Sequence, residues 1–253
     1  EMLAIGYAAK GLLTPDFVFY TISKDGEIAN EVWFQLPYYC MMHDFGFTKD
    51  YAVFHVVPST SNWERLEQGK PHFGFDKKLP VYLGVLPRQG TAEDLRWFKT
   101  DNCFASHVMN AHNEGSVVHF DVPMAAGNMF PFFPDIDDAA FEPHNAVARM
   151  TRWTVDMRAN SDGIEMTQLN DLVGEFPRID DRVAGLKNRY GFLLVQDMEK
   201  PVDLPDRSAT GMLMNTLARI DLETGEKDTY WIGPVSSLQE PAFIPRPGST
   251  AEG

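Results

Sequence analysis

Four apolar runs, each followed by a turn containing glycine and then by a second run, recur along the chain at similar intervals. This loose repeat constrains the fold more than any other feature. Phe17-Val18-Phe19-Tyr20-Thr21-Ile22 precedes Lys24-Asp25-Gly26, and Val81-Tyr82-Leu83-Gly84-Val85-Leu86 precedes Arg88-Gln89-Gly90. Trp153-Thr154-Val155-Asp156 precedes Ser161-Asp162-Gly163, and Ala218-Arg219-Ile220-Asp221 precedes Glu223-Thr224-Gly225. The runs are rich in β-branched and aromatic residues, and helical periodicity is sparse. The four turn glycines lie 64, 73 and 62 residues apart. A unit of that length holds four short antiparallel strands and a long connection, which suits a blade of a β-propeller. The expectation is an all-β single domain over residues 1–253 with roughly four blades. Four unrelated hairpins in a sandwich are the other arrangement this spacing allows.

Charge and hydropathy narrow the partners. The chain carries 36 acidic against 22 basic side chains, a formal charge of −14, and has no Lys/Arg-rich run. Such a surface repels phosphate backbones and anionic headgroups, so no nucleic acid partner is expected. No apolar run approaches the ~18 to 20 residues that cross a bilayer, so no transmembrane segment is expected. The start, Glu1-Met2-Leu3-Ala4, lacks the basic region that opens a secretory signal. Cys40 and Cys103 are the two cysteines, which fits a reducing, cytoplasmic location. The first residue is not Met, and the chain closes near Pro245-Arg246-Pro247-Gly248 without a finished element.

Nucleotide, hydrolase and zinc motifs are absent: the sequence contains no GxGxxG, P-loop, GxSxG, HExxH or CxxC. The Pro-rich stretches Met129–Pro134 and Pro201–Pro205 read as long connections between blades, where function often resides. Asp135, Asp137 and Asp138 lack the spacing of a calcium loop and read as a solvated turn.

Histidine remains as the carrier of chemistry. In Met42-His43-Asp44-Phe45-Gly46-Phe47, strand alternation puts His43 on one face with Phe45 and Phe47. In Ala105-Ser106-His107-Val108-Met109-Asn110-Ala111, His107 shares its face with Ala105, Met109 and Ala111. A partly desolvated imidazole needs either a hydrogen bond or a metal, and each histidine alone fits both descriptions. Two in comparable settings one repeat apart favour a shared site, because equivalent inner strands of a propeller converge on its axis. His55 and His119 fall on return strands, His112 on a turn, and His72 and His144 beside loop prolines. A zinc site from Cys40, His43, Cys103 and His107 is opposed by the extended geometry, which points Cys40 and His43 to opposite faces. A metal held by neutral imidazoles calls for carboxylates that accept the free Nδ1–H groups. Glu175 and Glu240, both in apolar, proline-locked contexts, suit that role; salt bridges to Arg178 or Arg246 are the alternative.

Several stretches resemble the carotenoid cleavage oxygenase family, in particular its lignostilbene dioxygenase and isoeugenol monooxygenase branch. They are Met42-His43-Asp44-Phe45 with Thr48 and Tyr51-Ala52-Val53-Phe54, then Tyr82-Leu83-Gly84-Val85-Leu86-Pro87-Arg88 and His107-Val108-Met109-Asn110-Ala111. Glu175-Phe176-Pro177-Arg178-Ile179-Asp180 and Glu240-Pro241-Ala242-Phe243-Ile244-Pro245-Arg246 complete the set. The resemblance implies a seven-bladed β-propeller, of which this chain is an internal fragment. It also implies a non-haem iron(II) (Fe2+) centre with four histidine ligands and three second-sphere glutamates. His43 and His107 would be the second and third ligands, and Glu175 and Glu240 two of the glutamates. The first ligand, the fourth ligand and the phenol-binding residues of the family fall outside this chain, and His112-Asn113 replaces the family's usual aromatic-acidic pair. The implied reaction is oxidative cleavage of the double bond of a small hydrophobic aromatic substrate, a phenylpropenoid or stilbene, by O2 to give aldehydes. Carotenoid or apocarotenoid cleavage and a non-catalytic binding module are the alternatives. Phe132, in Phe130-Pro131-Phe132-Phe133, is the expected ring contact in the substrate pocket.

Overall fold

The structure, a computed structural model, describes residues 1–203 and 213–253. β1 (Met2–Tyr7), β2 (Asp16–Ile22) and β3 (Ile28–Gln35) form a three-stranded antiparallel sheet. β4 (Gly46–Phe47) and β5 (Tyr51–Val56) lead to the small pair β6 (Ser59–Thr60) and β7 (Gly74–Phe75), with the short helix α1 (Trp63–Glu67) between them. β8 (Val81–Pro87) and β9 (Arg96–Thr100) complete a four-stranded sheet in the order β4-β5-β8-β9. The remaining strands are β10 (Phe104–Ala105), β11 (Asn110–Glu114), β12 (Val117–Ala125), β13 (Arg149–Asp156), β14 (Glu165–Arg178), β15 (Tyr190–Val195), β16 (Thr216–Asp221) and β17 (Lys227–Trp231). They join one eight-stranded sheet, in which β10 and β11 both pair with β12 and the path then follows chain order to β17.

All four hairpins expected from the turn glycines form, as β2 with β3, β8 with β9, β13 with β14, and β16 with β17. Gly26 and Gly225 take φ values of +85° and +77°, a conformation that a side chain resists. The last two repeat units are not separate sheets, however. β14 is 14 residues long, and its first half pairs with β13 while Gly174–Arg178 pairs with β15. The strand changes partner at Gly174, where a Cβ would collide with the Leu194 carbonyl oxygen. Among the described residues no sheet closes on itself, so the architecture is a row of packed sheets rather than a complete ring. The expected loop Pro201–Pro205 lies partly outside the described residues, at Leu204 and Pro205.

Packing between successive sheets explains the nearly continuous apolar strands. In β5, Ala52, Phe54 and Val56 pack with Phe17, Phe19 and Val32 of the first sheet. Val53 and the following Val57 pack on the opposite face with Leu83, Phe120 and Trp153. A strand sandwiched on both sides needs apolar residues at both phases of its alternation. A third cluster, around Met109, Met150, Leu193 and Ile220, joins the two halves of the large sheet. Full burial of each such side chain contributes about 1.5–3 kcal/mol.

Three local expectations are corrected. His43 and His107 do not sit inside strands: His43 lies in an irregular segment before β4, and His107 in the gap between β10 and β11. The Val108 amide, which a ladder would have used, instead donates to Asp44 Oδ2 at 2.8 Å. His112 belongs to β11 and is buried, facing His119 across the β11–β12 pair, because the turn begins only at Gly115-Ser116. Asp135 is not solvated; it is buried beside Asn128 with Lys77 Nζ at 2.6 Å.

Candidate metal centre

Two irregular segments, one before β4 and one between β10 and β11, meet at a single point. His43 Nε2 and His107 Nε2 are 3.0 Å apart, with the ring planes inclined at 70°. Asp44, next to His43, locks the segments together: its Oδ2 accepts from Val108 N and its Oδ1 from Phe45 N, both at 2.8 Å. On the far side of His107, Asn110 donates to the Leu186 carbonyl and to Asn188 Oδ1 and accepts from the Gly185 amide. The segment carrying His107 is thereby fixed from both ends.

Glu175 supports His107 from beneath. Its carboxylate is buried and accepts from His107 Nδ1 at 2.8 Å, from Ser106 Oγ and from the Phe176 amide. Burial alone would depress the His107 pKa, but the Glu175 hydrogen bond and charge, aided by Asp44 and Glu240, outweigh it and raise the pKa above its ordinary value. With Nδ1–H held by Glu175, the lone pair of the neutral ring resides on Nε2, the atom that faces His43. Phe176 takes a φ of +53°, a region that a bulky residue avoids, and lays its ring 5.1 Å from that of His107. The strained backbone sets both Glu175 and the Phe176 ring against one imidazole.

Glu240 is placed differently from Glu175. It is more than half exposed, pairs with Arg178 at 3.6 Å and makes no hydrogen bond to an imidazole; its charge reaches His107 only from a distance. Phe132 lines a cavity of about 310 Å³ that the two histidines also line. Its ring stacks on Phe130 at 5.1 Å and remains half exposed. Phe104, Phe133 and Phe176 continue the aromatic wall, and His55 of β5 closes part of it. Of the other histidines, His72 bonds the Tyr39 hydroxyl at 2.9 Å and His119 bonds Thr154 at 3.0 Å. Both cysteines are free and buried, and Cys40 Sγ contacts Met42 Sδ rather than the histidine pair.

Sequence reasoning gave no role to Asp44, Ser106 or Phe176. Asp44 stands beside His43 in the Met-His-Asp-Phe motif, which is the signal that could have found it.

The residues present fit a divalent ion held by imidazole. Two nitrogens at ~2.1 Å from one ion and at about a right angle lie about 3.0 Å apart, as these two do. One of the two rings already has its Nδ1 bonded to a buried carboxylate, the arrangement that orients a ligating histidine. The pair fills part of a coordination sphere: among the described residues no group of three or more His, Cys, Asp and Glu side chains is placed to hold a metal.

A family model described as retinal pigment epithelial membrane protein, RPE65, matches residues 1–253. The chain is 51% identical over 252 residues to lignostilbene-alpha,beta-dioxygenase isozyme III of Sphingomonas paucimobilis, covering 98% of this chain and 51% of that protein. It is 38% identical over 253 residues to the isoeugenol monooxygenase of Pseudomonas nitroreducens, covering 100% of this chain and 52% of that one. The crystal structure of Pseudomonas brassicacearum lignostilbene dioxygenase superposes with a TM-score of 0.93 at 41% identity, over 99% of this chain and 52% of that one. The chain spans about half the length of the curated relatives it matches. With the match running from the first residue to the last, the chain belongs to the RPE65 family, the carotenoid cleavage oxygenases that its motifs resemble.

Proposed function

We propose that this chain forms part of a cytoplasmic non-haem iron(II) oxygenase that uses O2 to cleave the alkene double bond of a phenylpropenoid or stilbene, giving two aldehydes. In this reading its repeat units are about four blades of a seven-bladed β-propeller whose other blades lie in a longer protein. One observation carries the proposal: the 3.0 Å approach of His43 and His107 at one side of a phenylalanine-lined cavity. The similarity to lignostilbene dioxygenase and isoeugenol monooxygenase supports it, as do two unpaired cysteines for the location. Among the described residues no helix is long and apolar enough to cross a membrane.

His43 and His107 would hold the iron through their Nε2 atoms, with further ligands supplied by the rest of the protein. Bound there, iron(II) would supply the activation of dioxygen that the alkene cannot achieve alone. Glu175 keeps the His107 proton on Nδ1 and offsets part of the ion's charge. The aromatic wall excludes water and holds an aryl ring, with Phe132 at its exposed rim. In dioxygenase form, the carbon–carbon double bond and the O–O bond break and two C=O bonds form, so both oxygen atoms of O2 end in the products.

The test uses the complete protein that carries this chain, loaded with iron and supplied with a 4-hydroxystilbene in air. Aldehyde release is expected from the parent, and His107→Ala is expected to lose both iron retention and aldehyde release. Turnover by an iron-free His107→Ala protein overturns the proposal, as does exclusive cleavage of polyenes.

A further inference from the structure

The cavity wall contains one residue that neither the metal pair nor core packing explains. His55 lies on β5 between Val53 and Val57, on the face that packs against Phe120, with its ring centroid 5.3 Å from that ring. Alternation along β5 puts aliphatic side chains at both neighbouring positions of this face, and an aliphatic side chain at position 55 would fit the same packing. The imidazole is 6% exposed, lines the cavity, and leaves its Nδ1 enclosed without a hydrogen-bond partner. Among the described residues it is the cavity-lining side chain with a buried polar atom left unpaired; the Ser106 hydroxyl, also in the wall, is committed to Glu175.

A buried nitrogen with no partner costs about 1–3 kcal/mol. The wall is mostly phenylalanine, with methionine, valine and alanine; of its polar members, His43 and His107 face each other, Ser106 is bonded to Glu175, and none of them, Ser59 included, hydrogen-bonds His55 Nδ1. Burial, chiefly, pushes the His55 pKa down to about 4, against the Asp44 charge and a hydrogen bond to the Ser106 main chain, so at neutral pH the ring is uncharged, with one N–H and one lone pair. A half-turn about the Cβ–Cγ bond, a torsion with a broad two-fold profile, exchanges the two ring edges and carries Nδ1 to the opposite side of the ring. With the N–H turned to the Ser106 main chain, the unpaired Nδ1 is left as an uncharged acceptor, which in an aromatic cavity matches a hydroxyl on an aryl ring. It does not match a carboxylate or phosphate, which would want a fixed positive charge.

We propose that His55 is a specificity-determining residue that hydrogen-bonds a hydroxyl substituent on an aryl ring of the substrate; this rests on the oxygenase reading above. It selects hydroxylated aromatics over bare hydrocarbons of the same shape. The hydrogen bond replaces the missing partner of the imidazole, so the gain appears only when the ligand carries the hydroxyl.

The experiment is a fluorescence titration of the complete, iron-loaded protein under anaerobic conditions, where no turnover intervenes. The probes are trans-4-hydroxystilbene and its analogues with a further hydroxyl at the 3 or 4 position of the second ring. The parent is expected to bind one of the dihydroxy probes about three- to tenfold more tightly than the monohydroxy probe, the range of one net hydrogen bond. His55→Phe is expected to abolish that preference while still binding the monohydroxy probe, and His55→Gln to retain part of it. His55→Leu takes the place of the phenylalanine variant if the latter does not fold. Equal discrimination in the parent and the apolar variant overturns the inference, as does a parent that does not discriminate. If the parent binds no stilbene at all, the oxygenase reading falls first and this inference with it, an outcome distinct from binding that ignores position 55.

Discussion

Asp44 Oδ2 accepts the Val108 amide at 2.8 Å, across 64 residues of sequence, and this bond sets the distance between the two imidazoles that flank it. Val108 follows His107 and Asp44 follows His43, so neither histidine can shift without stretching the Asp44 contact. Asp44→Ala is expected to free both segments and leave the Val108 amide without its partner, costing about 1–3 kcal/mol of stability. Loss of ligand positioning is expected to weaken iron binding about 10- to 100-fold. Asp44→Asn keeps a side-chain acceptor and is expected to fall between. Urea unfolding and anaerobic iron titration of the complete protein measure the two effects; iron affinity unchanged in Asp44→Ala refutes the positioning role.

Glu175 serves three donors at once, so its substitutions separate charge from hydrogen bonding. Glu175→Gln retains one acceptor oxygen for His107 Nδ1 but removes the negative charge that raises the imidazole pKa. Glu175→Leu removes all acceptors and leaves the Ser106 hydroxyl and the Phe176 amide unpaired as well. The expected order of iron affinity is parent, then glutamine, then leucine, with the leucine variant about 10- to 100-fold below the parent. The leucine variant is also expected to be less stable by roughly 1–3 kcal/mol, read from chemical denaturation. Equal iron affinity in all three proteins contradicts the role assigned to this carboxylate.

The hairpins are legible in the sequence because Gly26, Gly90, Gly163 and Gly225 mark turns that local chemistry decides. The approach of His43 to His107 is legible only through the repeat, since equivalent positions on successive units converge. The breaks in the strands at these histidines are not legible, because they depend on Asp44 reaching a distant amide rather than on any local propensity. The contrast between Glu175 and Glu240 has the same origin. Both stand in apolar, proline-flanked contexts, yet β14 carries Glu175 into the interior while Glu240 lies in an irregular tail beside Arg178. An exposed pair of that kind contributes about 0–1 kcal/mol, so nothing in its energetics holds Glu240 against the imidazoles.

Acid sensitivity is expected to arise at His112, away from the His43–His107 pair. Burial, then the nearby His119, Arg152 and Lys187 charges, push its pKa from 6.5 down to about 4. The unfolded chain therefore takes up a proton near pH 6.5 that the folded chain refuses until about pH 4. More protons on the unfolded state mean that stability is full above pH 6.5 and falls as the pH drops through that window. His112→Gln removes the titrating group, and the slope of unfolding free energy against pH between 6.5 and 4 is expected to flatten. Denaturation series at several pH values measure the slope; identical slopes in the two proteins rule out His112 as the source.

Phe132 offers a test of the cavity that stability does not confound. Its ring is 52% exposed and its ring contacts are to Phe130 and Phe133, so Phe132→Ala is expected to change folding free energy by less than about 1 kcal/mol. An aromatic contact contributes about 0.5–1.5 kcal/mol, which corresponds to an affinity loss of roughly two- to tenfold for an aryl substrate. Because the ring would touch the bound substrate in ground state and transition state alike, the loss is expected in KM with kcat little changed. Steady-state kinetics of aldehyde release from a 4-hydroxystilbene separate the two constants. A fall in kcat with KM constant would move Phe132 from the rim of the cavity to the reacting centre, against its place in the structure.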